Sequence, residues 1–302
     1  MRKVFPMMAD SCDKSKLDAY FTSDAYVAEE KFDGSRYILQ ITDGKVYLTS
    51  RRESVNGGMC EKSENVPHIT RFKPLQKSIG TIIDGEIVSS AGNVGGVTSI
   101  MGSLPEKAIA RQIEKGFVTY MAFDILSLLG RDVTKLPLLH RRMMLKAWVE
   151  KIKCPYIRLT EQVTKDKEAF YYEIVKKGGE GIMLKNLNCP YVEGERPKRN
   201  WIKVKKVFTY DGIVLGGNEG RGKYAGTLGA LSIGQYVNGN LQEVATISGM
   251  TDEQRTAFWK DIKAGKKWVV EFEAQEKTKD FRYRHPQFKK VRTDKSFKDC
   301  TF

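Results

Sequence analysis

The sequence predicts a two-part chain: a mixed α+β domain over residues 1–206, then a small β-barrel domain over residues 207–302. Three observations carry this. Up to Lys206, apolar strand-like runs alternate with stretches of helical spacing. Beyond it come short strands split by glycines at 216, 217, 220, 222, 226 and 229, with a single helix, a pattern that suits a small barrel such as an OB-fold. Finally, 302 residues with 41% hydrophobic and 29% charged content suffice for two cores.

The formal net charge of +14 points to a polyanionic partner, with nucleic acid the default. Part of it is concentrated: residues 260–302 hold 13 Lys/Arg against 7 Asp/Glu. No apolar run approaches the roughly 18 residues of a membrane span. The short apolar run at the start is broken by Pro6 and closed by Asp10, too short for a signal-peptide core, so an intracellular, cytoplasmic protein is expected. Five widely spaced cysteines argue against a disulfide framework or a zinc site, and three scattered histidines suggest no metal cluster. A metal here is expected to be magnesium on carboxylates.

Lys31-x-Asp33-Gly34-x-Arg36 lies between two apolar runs, which suits a tight turn presenting one amine to a pocket. Asp33 is expected mainly to shape that turn, and Glu30 to be solvated. Asp43-Gly44 signals a hairpin whose second strand ends at Ser50, Arg51 and Arg52. Residues 81–88 form an apolar strand interrupted by Asp84-Gly85-Glu86. Acids inside such a strand are costly unless paired or liganded, which marks Glu86 as functional. Residues 92–101 read as a loop, and Ser103 as the N-cap of a helix with Glu106 completing the box. Residues 118–126 form a buried strand with Phe123 and one acid, Asp124. Helical spacing in Leu139, Met143, Leu145 and Val149 places Arg141 and Arg142 on another face.

A second helix over residues 165–177 stops at Gly178-Gly179. Next come Glu180 heading a strand that Lys185 closes, and a strand carrying Lys203 and Lys205 on one side. Two neighbouring ammonium groups call for an anion between them, and phosphate is the natural candidate. In the second part, Thr251-x-x-Gln254 opens a helix to about Lys263.

The order of these blocks resembles the nucleotidyltransferase motifs of ATP-dependent DNA ligases. It runs from Lys31-x-Asp-Gly-x-Arg36 through Ser50-Arg51, Asp84-Gly85-Glu86, Phe123-Asp124, Glu180-Gly181 and Lys203-Val-Lys205, ending in Arg292-x-Asp294-Lys295. The resemblance implies an α+β, ATP-grasp-like nucleotidyltransferase domain followed by an OB-fold domain, with ATP and Mg²⁺ as cofactors and nicked duplex DNA as partner. It makes Lys31 the nucleophile that attacks the α-phosphate of ATP, Glu29 the reader of the adenine amino group, and Phe123 the ring stacked on the base. Arg36, Arg51 and Glu86 hold the ribose and its surroundings, Glu86 and Glu180 hold Mg²⁺, and Lys203 and Lys205 grip the α-phosphate. Arg292, Asp294 and Lys295 orient the pyrophosphate. Phe123 can equally be read as core.

An ordinary lysine is almost fully protonated near neutrality and is no nucleophile, so burial and the nearby cations are expected to disfavour its ammonium. Compared with larger family members, the chain reads as a minimal two-domain type without an added DNA-binding module or leader, and as a monomer. Two other readings stay open. An RNA ligase or mRNA capping guanylyltransferase would share the lysine motif. A non-catalytic OB-fold nucleic-acid-binding protein would have no reason to hold Lys31, Glu86 and Glu180 together.

Overall fold

The computed structural model describes residues 1–12, 16–53, 57–90, 92 and 94–302, Arg52 by its backbone alone. The chain divides into two compact units, Met1–Lys205 and Lys206–Phe302.

The first unit is built on two sheets. Its strands are β1 (Asp10–Ser11), β2 (Tyr26–Glu30), β3 (Ser35–Thr42), β4 (Lys45–Glu53), β5 (Met59–Glu61), β6 (Ile82–Val88), β7 (Thr119–Leu128), β8 (Arg131–Asp132), β9 (Ile157–Leu159), β10 (Gly181–Asn186) and β11 (Trp201–Lys205). One sheet runs β5-β4-β3-β6-β7, with β8 antiparallel and β9 parallel to β7. The other runs β1-β11-β10-β2. Period-two alternation assigns the faces of β3. Tyr37, Leu39 and Ile41 join the large core with Val97, Ile100, Leu145 and Trp148. Ile38 faces the opposite way, into a second cluster with Phe123, Tyr191 and Trp201. The β3–β4 hairpin turns at Asp43-Gly44, both at positive φ, as such two-residue turns require.

The helices of this unit are α1 (Leu17–Phe21), α2 (Pro67–Thr70), α3 (Lys73–Gln76), α4 (Val94–Met101), α5 (Pro105–Lys115), α6 (Leu138–Ile152) and α7 (Lys167–Lys176). Three of them depart from the sequence expectation. The segment read as a loop is α4, because Val97, Ile100 and Met101 find a core to bury in despite two glycines. The cap of α5 is Leu104 rather than Ser103, since Pro105 at the first helical position needs no N–H partner and sets the start one residue later.

Helix α6 is rotated from the expected face. Leu139 and Met143 are exposed, whereas Arg141 and Arg142 are buried beside Leu138, Leu145 and Trp148. The reason is Asp124, fully buried on β7. Arg141 donates to both its oxygens, Nε–Oδ1 2.8 Å and Nη2–Oδ2 2.9 Å, and a buried carboxylate without such a partner is far costlier than two exposed apolar side chains.

The second unit has a five-stranded antiparallel sheet. Its strands are β12 (Phe208–Glu219), β13 (Leu228–Val237), β14 (Asn240–Ile247), β15 (Val269–Ala274), the short pair β16 (Glu276–Lys277) and β17 (Tyr283–Arg284), and β18 (Gln287–Arg292). The order is β14-β13-β12-β15-β18. A parallel bridge from Ser248 to Gln287 joins the two outer strands and curls the sheet toward a barrel. Helix α8 (Asp252–Lys263) starts at Thr251 with the reciprocal box the sequence indicated. Gln254 N donates to Thr251 Oγ1 (3.2 Å) and Thr251 N to Gln254 Oε1 (2.9 Å).

Candidate active site

Lys31 follows β2 directly and opens the turn into β3, so it stands where the chain passes from one sheet to the other. Two devices fix this turn. Lys31 N donates to Gly181 O (2.9 Å), pinning it to the start of β10. Asp33 Oδ2 accepts from Val94 N (3.1 Å), tying the turn to the first residue of α4, which gives Asp33 the shaping role expected of it. Gly34 is needed for close approach. A Cβ there would lie 2.2 Å from Ile87 O and 2.9 Å from Glu86 Cγ, so any larger residue pushes the lysine turn off β6.

Glu180 lies between two of the predicted cations. Its Oε2 pairs with Lys31 Nζ and its Oε1 with Lys205 Nζ at 2.9 Å. Gly181 makes this possible: it has φ +138°, and a Cβ would meet Val204 O at 2.1 Å, so β10 begins against β11. Burial pushes the Glu180 carboxyl up, but the two ammonium groups outweigh it and hold the carboxyl below its ordinary value. Of the two β11 lysines expected to share an anion, only Lys205 is paired with Glu180. Lys203 differs: it makes no ion pair among the described residues, and burial with Arg196, Lys205 and Lys31 nearby lowers its pKa. A half-buried cation so placed favours an incoming anion.

Arg36 and Glu86 are register partners across β3 and β6. The guanidinium of Arg36 is locked onto Asp84, with Nε–Oδ1 at 2.8 Å and Nη2 on Oδ2, and Tyr191 donates its hydroxyl to the same Oδ2 at 2.6 Å. Arg36 Nη1 is not engaged among the described residues. Burial pushes the half-buried Glu86 carboxyl up to about 7, against the pull of Lys31 and Arg36 and with Asp84 and Glu180 adding repulsion. Arg51 is exposed on β4, next in line to Ser50, which pairs with Tyr37 of β3.

Phe123 is the extra residue of a β-bulge. Asp84 pairs with Asp124 and Gly85 with Ala122, so Phe123 has no partner on β6 and its side chain is re-aimed. It is 9% exposed, edge-on to Trp201 at 5.9 Å, with Lys185 Nζ 4.3 Å from its ring centre. Phe123 thus closes a core cluster and lies beside Lys185, the partner of Glu29.

Glu29 is 2% exposed at the end of β2. Its Oε2 accepts from Lys185 Nζ (2.8 Å) and from the Thr160 hydroxyl (3.3 Å), its Oε1 from Gln162 Nε2 (2.8 Å). Glu30, expected in solvent, is half-buried, and burial raises its pKa. The structure therefore gathers Glu29, Lys31, Arg36, Glu86, Phe123, Glu180, Lys203 and Lys205 around the lysine turn. Sequence reasoning gave no site role to Lys185, Tyr191, Thr160, Gln162 or Arg142. Only Lys185 carried a signal, as a charge ending the apolar run of residues 182–184, the same cost that singled out Glu86.

Arg292, Asp294 and Lys295 belong to the second unit. Arg292 Nη1 meets Asp211 Oδ1 and Glu271 Oε2, both at 2.9 Å, while its Nε and Nη2 grip Asp294 at 2.8 and 2.7 Å. The guanidinium holds the Asp294 carboxyl well below the usual range. Lys295 Nζ lies 3.9 Å from Asp211 Oδ2.

The family described as ATP dependent DNA ligase domain matches residues 6–205, and the DNA ligase OB-like domain matches residues 219–292. A DNA ligase of Archaeoglobus fulgidus is 32% identical over 295 residues, covering 88% of this chain and 51% of that protein. One of Methanocorpusculum labreanum is 30% identical over 255 residues, covering 80% and 43%. The chain spans about half the length of the curated relatives it matches. Among solved structures, a Lig E DNA ligase superposes with TM-score 0.68 at 23% identity, covering 97% of this chain and 100% of that one. The ATP-dependent DNA ligase of bacteriophage T7, in complex with ATP, superposes at 0.52 and 18% identity, covering 95% and 98%. At these identities the structures speak for a shared fold.

Proposed function

The chain belongs to the ATP-dependent DNA ligase family, and on that premise we propose that it seals 5′-phosphate/3′-hydroxyl nicks in duplex DNA through a lysyl-AMP intermediate. The observation that carries this is the setting of Lys31: one amine held in a rigid turn, faced by Glu180, with Lys203 and Lys205 beside it.

In the first step Lys31 Nζ forms a bond to the α-phosphorus of ATP as the bond to pyrophosphate breaks. Lys203 and Lys205 neutralise charge developing on the α-phosphate, and positioning supplies most of the rest. Lys31 attacks as the free amine, its proton passing to water or to the paired Glu180 carboxylate. Glu29 reads the base, Phe123 stacks on it, and Arg36 and Arg51 hold the ribose. Arg292, Asp294 and Lys295 attend the pyrophosphate. The AMP then passes to the 5′-phosphate of the nick, freeing Lys31, and the 3′-hydroxyl attacks that phosphorus to release AMP and join the strand.

Glu86 and Glu180 fit a magnesium ion. They are hard oxygen donors near enough for the charge of Glu180 to help raise the pKa of Glu86. Two carboxylates are the set from which Mg²⁺, completed by water and substrate phosphate, is usually held. Bound there, the ion would neutralise phosphate charge.

The test is sealing of a 5′-phosphorylated nick with ATP and Mg²⁺, comparing wild type with Lys31→Ala. Sealing by wild type alone supports the proposal. A Lys31-dependent AMP adduct without sealing would shift the substrate to RNA or to strand ends. Labelling by GTP and not ATP would indicate capping chemistry, and no adduct at all would leave nucleic-acid binding as the function.

A further inference from the structure

The wall behind Glu29 comes from residues outside the motif blocks. After β9, Thr160 N donates to Ala122 O (3.0 Å) on β7, and Val163 then exchanges both backbone hydrogen bonds with Ala28 of β2 (2.9 Å each). The segment between them passes from one sheet to the other behind the base-reading carboxylate. Arg142, 8% exposed on α6, reaches this segment: its Nη1 donates to Thr160 Oγ1 at 2.9 Å and its Nη2 to Thr160 O. No carboxylate lies within ion-pair distance of Arg142 among the described residues. A buried cation so placed is costly, and what it does to its acceptor becomes the question.

An arginine can only donate, so Thr160 Oγ1 accepts from Arg142, and the one proton of the hydroxyl is turned toward Glu29 Oε2 at 3.3 Å. Lys185 donates to the same oxygen and Gln162 to Oε1. A carboxylate offers about four lone-pair positions, so three are filled and one, on Oε1, is left. A purine with an amino group at C6 brings a donor to that position. One with a carbonyl there brings acceptor against acceptor.

We propose that Arg142 and Thr160 are positioning residues for base selection, fixing the Thr160 proton on Glu29 so that a single acceptor position remains for the exocyclic amine of adenine. This rests on the reading of Glu29 as the adenine contact.

The experiment measures kcat/KM for lysyl-nucleotide formation with ATP and with purine riboside triphosphate, which lacks only the amino group. The full chain is used as wild type, Thr160→Val, Thr160→Ser and Arg142→Met. The ratio between the two nucleotides does not depend on the active fraction, so partial misfolding cannot imitate the effect. Wild type should prefer ATP by about tenfold or more, the worth of one hydrogen bond. Thr160→Val and Arg142→Met should lower the ratio by about threefold or more, because a second open acceptor position lets Glu29 turn from the amine, and Thr160→Ser should keep the wild-type ratio. An unchanged ratio in Thr160→Val overturns the proposal and leaves the Glu29 reading standing. A wild type indifferent to the amino group overturns both.

Discussion

Glu86→Gln should make the first unit more stable at pH 8 than at pH 5, relative to wild type, while disabling it. The carboxyl is pushed up to about 7 from an ordinary 4.5, chiefly by burial. Folding therefore raises its proton affinity. Below about pH 4.5 both folded and unfolded chains hold the proton, and nothing is lost. As the pH rises the unfolded chain releases it first, so the folded state loses ground progressively and carries the whole penalty above about pH 7. A difference of about 2.5 pH units at about 1.4 kcal/mol each gives roughly 3 kcal/mol, reduced to about 1–3 kcal/mol because water still reaches part of the group. Glutamine, of the same shape and never charged, escapes this. Hydrogen exchange of the slowest amides of β3 and β6 at pH 5 and pH 8 reads the difference in the right unit. Adenylation by the variant should fall by about 100-fold or more. A stability gain equal at both pH values would refute the reasoning, since only titration makes it pH-dependent.

Asp124→Asn should cost about 3–5 kcal/mol by stranding the Arg141 cation, and the double variant Asp124→Leu/Arg141→Met should cost less, both read by urea unfolding. Stability unchanged in the single variant would argue that Asp124 serves chemistry instead of the fold. Gly34→Ala should depress the lysyl-AMP adduct by about tenfold or more, since its Cβ would meet Ile87 O at 2.2 Å and the whole turn must move. An adduct formed at the wild-type rate would show the turn can yield. With a net charge of +14, sealing at subsaturating DNA should drop by about tenfold or more between about 50 and 200 mM salt as counterions compete. A flat response would remove charge as the main source of DNA affinity.

Much of the fold was legible because it rests on local chemistry. The Asp43-Gly44 turn, the Thr251–Gln254 box and the stop at Gly178 each act within a few residues, and the structure keeps all three. Charged residues set in apolar strands also stood out, because burying one is costly, and this marked Glu86 as a candidate. What no local pattern could show was where charges find each other across the chain. Arg141 and Arg142 read as lying on a face of α6 apart from its apolar spacing, yet Asp124, 17 residues back, and Thr160, 18 residues on, draw them inward. Two lysines on one strand implied a shared anion, but not that Lys205 is already paired with Glu180 while Lys203 makes no ion pair among the described residues. Phe123 could be read as core or as base platform, and the structure places it in a core cluster, at a bulge on β7 that leaves it without a partner on β6. Sequence determined which residues carry reactive groups and which stretches alternate or cap. Tertiary structure alone decided which buried polar groups satisfy one another, because a hydrogen bond or ion pair is set by distance in space, and that distance is fixed only once the sheets have packed.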